Sequence, residues 1–314
     1  VTLVIIVGAT LKIPSGGGAA TEISRRNAPV KPMDLSAFSS APPSAPLRLL
    51  FIHHSVGGAL FAEPGAADAV GDCIWKKHPE GGGARLLLER HGYEVHEASY
   101  GSAIGEATDL FDWLPKFRDD MDRVRACSFN DQPLPAGKHN QVVVFKSCFP
   151  NNAFVGEGTA PGDPKGPDLT LWNARATMNA LRDVLARHPE VLFVYLTTPP
   201  LARRPQSEAL WKWLAKEILR KPHSHEQLDR SGPLARQFND WVADGDGWLK
   251  DYPGRNVVVF DYYDILTNHG ASNFSAYPTG DGSNSHPSRA GNQQAATELL
   301  PFLNRAVRRA GLSD

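Results

Sequence analysis

Strand-like and helix-like segments alternate between residues 47 and 310. This predicts an α/β protein with a central, mostly parallel, five-stranded sheet covered by helices on both faces. Several of the strand segments are unbroken apolar runs, as burial on both sides requires. The segments between them carry apolar residues at helical spacing. The chain has 314 residues, 41% hydrophobic and 21% charged, enough to bury one large core.

The elements follow in order. Residues 47–53 (LRLLFIH) form a compact apolar run bounded by turn formers, a first buried strand. Residues 84–91 read as a helix stopped by Gly92. Residues 93–98 (YEVHEA) alternate as a second strand, and 106–117 carry helical spacing. Residues 141–146 (QVVVFK) are a β-branched third strand, and 171–187 an amphipathic helix. Residues 191–197 (VLFVYLT) form a fourth strand, followed by Trp-bearing helices near 206–220 and 233–243. Residues 256–261 (NVVVFD) are a fifth strand, and 288–310 a closing helix. No fixed-period repeat is visible.

Upstream, residues 1–11 (VTLVIIVGATL) are apolar but too short to span a bilayer. They read either as the remnant of an export signal or as a strand. Residues 12–46 are rich in Gly, Ser, Ala and Pro and read as a flexible linker. The expected organisation is therefore an N-terminal segment over 1–46 and a catalytic domain over 47–314. An extracytoplasmic location (secreted, periplasmic or membrane-tethered) goes with it. The three cysteines, Cys73, Cys127 and Cys148, are too few for a disulfide scaffold and form no CxxC pair. Either Cys73 and Cys127 are bridged or all three are free.

The net charge of −1 excludes the basic footprint of a nucleic-acid binder and offers no polybasic membrane patch. A small or neutral substrate fits better, with no nucleic-acid partner and no stable membrane span in the folded domain. There is no GxSxG elbow, no HExxH, no GxGxxG and no P-loop at the first strand. The Asp244-Gly245-Asp246-Gly247 stretch lacks the later ligands of a calcium loop.

In parallel sheets, sites form beyond the carboxyl ends of the strands. Strand one is followed by His53-His54-Ser55-Val56-Gly57-Gly58, and strand two by Tyr100-Gly101-Ser102-Ala103-Ile104-Gly105. Strand three leads into Ser147-Cys148-Phe149-Pro150-Asn151-Asn152, and Asp281-Gly282-Ser283-Asn284-Ser285-His286 precedes the last helix. Acyl transfer draws on this chemistry: a serine hydroxyl activated by a neutral imidazole, with N–H donors for the developing oxyanion.

The order Ser, Gly, Asn, His at successive strand ends resembles the SGNH (GDSL-like) hydrolase superfamily. FIHHSVGG and VVFKSCFPNN resemble a divergent bacterial branch of it. The resemblance covers residues 47–310 and implies a flavodoxin-like three-layer α/β/α sandwich. It implies Ser55 as nucleophile and His286 as base. The Ser55 and Gly105 backbone N–H groups and the Asn151 side chain would form the oxyanion hole, with no cofactor and no metal. His53-His54-Ser55 replaces the usual Gly-Asp-Ser, and the Asn after strand three is displaced, which leaves Asn152 as a substitute. Ser283 stands three residues before His286, where the usual Asp would be. The imidazole is then oriented either by Asp281, completing a triad, or by a backbone carbonyl, leaving a Ser–His dyad.

Beside these, His54 is assigned to substrate contact or to a structural hydrogen bond. Lys146 is expected to be solvated or ion-paired, and Cys148 to be a small buried hydrophobe. Trp211, Trp213, Trp241 and Trp248 read as core at helical spacing or as a wall of the cleft. The expected function is a serine esterase acting on a small-molecule or carbohydrate O-acyl ester. The alternatives are a glycan- or peptide-binding protein on the same fold and an O-acyltransferase.

Overall fold

The computed structural model describes residues 30–204 and 224–314. Residues 1–11 and the Trp-bearing helix expected near 206–220 lie outside the described residues. In chain order the first elements are β1 (Leu47–Ile52), α1 (Ser55–Phe61), β2 (Glu63–Pro64), β3 (Asp68–Gly71), β4 (Ile74–His78), α2 (Ala84–Arg90) and β5 (Tyr93–Ala98). Then come α3 (Trp113–Asp119), α4 (Met121–Ala126), β6 (Cys127–Phe129), β7 (Gln132–Pro133), β8 (Val142–Phe145), α5 (Leu171–Leu185) and β9 (Leu192–Leu196). The chain closes with α6 (Ser224–Ala243), β10 (Val257–Phe260), α7 (Tyr262–Leu266), β11 (Pro278–Thr279), β12 (Asn284–Pro287) and α8 (Arg289–Arg309).

The main sheet runs β10-β9-β8-β1-β5-β6-β7. Its five longer strands are parallel and stand in the order second-first-third-fourth-fifth, the doubly wound order of flavodoxin-like sheets. The sheet has seven strands, not the five expected. The two additions, β6 and β7, have three and two residues. Strands so short show no period-2 pattern, and β7 carries Pro133, a residue confined to sheet edges. Asn130, at φ 51°, turns the chain between them.

Alternation along each strand sends side chains to two separate cores. Leu50 and Ile52 of β1, Val143 and Phe145 of β8, and Phe193 and Tyr195 of β9 pack against α3, α4, α5 and α6. Leu49 and Phe51, Val142 and Val144, and Leu192 and Val194 pack against α1, α2, α7 and α8. Helices therefore cover both faces of the sheet, in three layers. Helix α5 shows why the helices form where they do. Thr170 caps it by accepting from the Asn173 N–H, and Leu171, Ala174, Met178, Leu181 and Leu185 bury one stripe.

Other boundaries differ from the sequence reading. The helix expected over 106–117 begins only after a 3₁₀ turn at Leu110–Asp112, because Asp109 and Asp112 cap each other reciprocally there. The helix expected near 233–243 starts at Ser224 and runs through Pro233. Trp248 is fully buried and donates to the Met178 carbonyl at 2.7 Å, and Trp241 packs on the same core. All three cysteines are free thiols.

Residues 30–46, read as part of a flexible linker, are fixed instead. Leu35 is buried, and the Lys31 N–H donates to Asp244. Asn304 and Arg308 of α8 donate to the carbonyls of Ser40, Ala41 and Pro42. A segment without apolar pattern can still be ordered when a neighbouring helix supplies donors for its backbone. Among the described residues no helix is long and apolar enough to cross a membrane.

Phe117 is fully buried, with Trp113, Phe145 and Phe193 rings around it. Phe117→Ala is expected to lower unfolding free energy by about 3–5 kcal/mol, read as a lower urea midpoint at unchanged slope.

Candidate active site

Strand β1 ends where the order of the doubly wound sheet reverses, between β5 and β8. The crevice beyond such a point is where α/β sheets bind ligands. Ser55 stands there as the first residue of α1. The chain returns 231 positions later as β12, half of a short hairpin with β11, and brings His286 to the same place. Ser55 Oγ and His286 Nε2 are 2.9 Å apart. The Phe149 ring meets the imidazole edge to face, with centroids 5.0 Å apart.

The other ring nitrogen is held by Asn284. Its Oδ1 accepts from the His286 backbone N–H at 3.1 Å and lies 2.7 Å from Nδ1. The backbone donor identifies this amide atom as the oxygen, so Nδ1 carries the proton. The lone pair is thereby left on Nε2, facing the Ser55 hydroxyl, the tautomer a general base needs. Burial, then the charges of Lys146 and His78, hold the His286 pKa below its ordinary 6.5.

Asp281 does not take this role. Its carboxylate accepts from the Ser283 N–H and Oγ and stands 3.8 Å from Arg204 on the surface. Asn284 orients the imidazole instead. The sequence contained a signal for it, since Asn side chains commonly bond the backbone two residues onward.

The expected oxyanion donors are also spent elsewhere. The Gly105 N–H donates to Ser102 Oγ at 2.9 Å, and its carbonyl accepts from His54 Nε2 at 2.7 Å. Glycine is required at 105 for packing: a Cβ there would lie 2.1 Å from the Ser99 carbonyl oxygen. Asn151 is tied on both sides of its amide. Oδ1 accepts from the Leu110 N–H at 2.7 Å, and Nδ2 donates to Asp109 at 2.8 Å and to the Cys148 carbonyl at 3.3 Å. Asn152 is fully buried, donating to the Thr198 and Pro199 carbonyls and accepting from Asn239. Of the expected set, the backbone N–H of Ser55 remains, at the start of a helix whose N-cap residue makes no side-chain cap.

His54 is a structural residue. It is 8% exposed, stacks on Tyr100 with centroids 3.5 Å apart, and has both ring nitrogens engaged by Gly105 and Thr108. Burial pushes its pKa down to about 4, so the ring is a neutral pin between strand β1 and the 99–108 loop. His53 anchors the same turn from below. Its Nε2 lies 2.9 Å from Glu97, which also binds Arg85, and its Nδ1 donates to the His54 carbonyl at 2.9 Å. Burial works to raise the Glu97 pKa, but hydrogen bonds and charge from His53 and Arg85 overcome it and keep the carboxylate ionised.

Lys146, expected to be solvated or ion-paired, is wholly buried: its amine contacts the Ser147 carbonyl at 3.3 Å and Cys148 Sγ at 3.2 Å, and among the described residues no carboxylate pairs with it. Cys148 itself is only partly buried. Beside His286 opens a cavity of about 490 Å³, lined by Phe149, Leu201, Ala202, Leu228 and Ser231 among others. The arrangement can deprotonate a hydroxyl next to a mixed apolar and polar cleft. No protein-family model, no curated protein and no solved structure matches the chain.

Asn284→Asp places a carboxylate against Nδ1 and is expected to raise the His286 titration midpoint by about one pH unit or more. NMR titration of the His286 ring checks this, and an unmoved midpoint would show that Asn284 does not contact the imidazole in solution.

Proposed function

We propose that the protein is a serine hydrolase of the SGNH type that cleaves a carboxylic ester, with an O-acyl group on a carbohydrate as the favoured substrate. The observation that carries this reading is the 2.9 Å contact between Ser55 Oγ and a His286 whose tautomer is set by Asn284. The Ser, His order at the ends of the doubly wound sheet supports it, and the carbohydrate preference rests on the family resemblance alone.

In this mechanism Ser55 Oγ adds to the ester carbonyl while its proton passes to His286 Nε2. The carbonyl π pair moves onto oxygen, which faces the Ser55 N–H at the head of α1. Collapse breaks the bond to the alkoxide, and His286 returns the proton to the leaving alcohol. Water then adds to the acyl carbon while its proton passes to His286, and collapse breaks the bond to Ser55 Oγ, which takes that proton back from His286 as the acid leaves. Asn284 keeps the imidazole in register throughout but carries no formal charge, so it stabilises the imidazolium less than an Asp would. On this reading the enzyme acts outside the cytoplasm, as the sequence expectation has it.

One observation favours a second reading. Because Gly105 and Asn151 have committed their donors, the same cleft suits a protein that binds a glycan or peptide without turning it over. An O-acyltransferase, with an acceptor alcohol in place of water, uses the same first half-reaction.

Incubation with p-nitrophenyl acetate and a fluorophosphonate probe separates these readings. The hydrolase is expected to label at Ser55 and to lose on the order of 10⁴-fold or more of kcat in Ser55→Ala. Absence of labelling supports the binding protein, and turnover that rises with added sugar alcohol supports transfer. The pH profile supplies a further expectation. The base must be neutral and its pKa is depressed, so the acid limb of kcat/KM should have its midpoint below pH 6.5. A midpoint above that value would count against His286 as the base.

A further inference from the structure

His53 has no part in the scheme above, yet it is wholly buried two residues before Ser55 and both of its ring nitrogens are engaged. Nδ1 lies 2.9 Å from the His54 carbonyl. A carbonyl oxygen only accepts, so Nδ1 carries a proton and donates it. Nε2 lies 2.9 Å from the Glu97 carboxylate. The other oxygen of that carboxylate accepts from Arg85, whose Nη1 donates in turn to the Trp75 carbonyl at 2.8 Å. The Phe51 ring packs on the imidazole, with centroids 4.6 Å apart. Gly57 lets the side chain sit close beneath α1, since a Cβ there would lie 2.4 Å from the His53 Cβ. The ring is therefore fixed both in place and in rotation.

What it holds is a peptide unit. The His54 carbonyl accepts from two sides, from His53 Nδ1 and from the Gly58 N–H at 3.0 Å. That carbonyl and the Ser55 N–H belong to one planar group, and across a trans peptide they point in opposite directions. Pinning the oxygen therefore fixes the direction of the N–H. Among the described residues none accepts from the Ser55 N–H. The other donors expected for an oxyanion, the Gly105 N–H and the Asn151 amide, are already bonded. The aim of this single remaining donor thus depends on what grips the back of its peptide.

We propose that His53 is a positioning residue for ester cleavage: its Nδ1–H, braced by Glu97 and Arg85, locks the His54–Ser55 peptide with the Ser55 N–H aimed at the oxygen that becomes negative when Ser55 adds. The inference rests on the serine-hydrolase reading. His53 touches no substrate and moves no proton. It acts because a donor already in place needs no reorganisation at the moment of reaction. A hydrogen bond accepted by the carbonyl also polarises the peptide and strengthens its N–H as a donor.

Two variants separate the two contacts of the ring. In His53→Asn the amide nitrogen falls where Nδ1 stands and still donates to the His54 carbonyl, while the bond to Glu97 is lost. In His53→Gln the longer amide reaches Glu97 instead, and the His54 carbonyl loses its donor. Each variant gives up one buried hydrogen bond, so both are expected to melt below the parent. Turnover of p-nitrophenyl acetate, counted per Ser55 site titrated with the fluorophosphonate probe, tells them apart. His53→Gln is expected to lose about 10²-fold in kcat with KM close to the parent's, as for a donor misplaced in the transition state alone. His53→Asn is expected to keep kcat to within about tenfold. A merely structural His53 predicts the same kcat per titrated site in the two variants. That result, or the larger loss in His53→Asn, overturns the assignment.

The parent protein gives a readout whether or not the variants fold. In its fluorophosphonate adduct the phosphoryl oxygen takes the place of the oxyanion, so the Ser55 amide proton is expected to move downfield in the NMR spectrum as it enters a stronger hydrogen bond. An amide proton that stays in place or moves upfield shows that the N–H is not aimed at that oxygen, and the assignment fails. If the parent does not label at Ser55 at all, the hydrolase reading itself falls, and the two failures are thereby told apart.

Discussion

Burial of strand β1 on every side is the constraint from which the rest of the molecule follows. Both edges are hydrogen-bonded in parallel, to β5 and to β8, and its two faces bury alternate side chains in separate cores. A one-residue slip would exchange those faces, so the register is strongly held. The chain must then leave the sheet at His53 in a single direction, and Ser55 follows two residues later. Helix α1 lies close enough to the β3–β4 turn that a Cβ on Gly58 would come within 1.9 Å of the Cys73 carbonyl oxygen. The position of Ser55 is thus set by packing behind it, not by contacts of its own hydroxyl.

Around that fixed point the site is made of polar groups that the fold has already paired. His53, Glu97 and Arg85 form one chain of contacts beneath the turn. His54, Tyr100, Gly105 and Thr108 form a second above it, and Asp109, Leu110 and Asn151 a third. Trp113 adds a link from α3 by donating to Ser147 at 2.8 Å. Each satisfied pair rigidifies the strand-end loops, because breaking any of them strands a buried donor or acceptor. Rigidity is also what a preorganised site needs, since a base and a nucleophile must meet without rearrangement. Within this set of committed groups, the Ser55–His286–Asn284 line is the part that the proposed hydrolase would use.

Much of this was legible in the sequence because it depends on local pattern. The five parallel strands show as apolar runs, and α5 and α8 as periodic stripes, since burial on two faces or on one leaves different spacings. Ser55 and His286 were legible because chemistry concentrates at strand ends in such sheets, and a lone late histidine before a helix stands out there. Strands β6 and β7 were not legible, because three and two residues carry no period. Residues 30–46 were misread because their order comes from donors on α8, more than 200 positions away.

What the sequence by itself determined is the layered architecture and the pair of residues set to meet in the crevice, because alternation and apolar runs are properties of neighbouring residues. Tertiary structure alone decided which hydrogen-bonding groups stay free. Gly105 and Asn151 look like free donors until Ser102, Asp109 and the Cys148 carbonyl accept from them, and Asp281 looks like the orienting acid until Asn284 takes its place. Lys146 looks like a surface charge until the fold closes over it. The physical reason is that hydrogen-bond capacity is finite and is claimed by whichever partner the packed chain brings near, something no local pattern encodes.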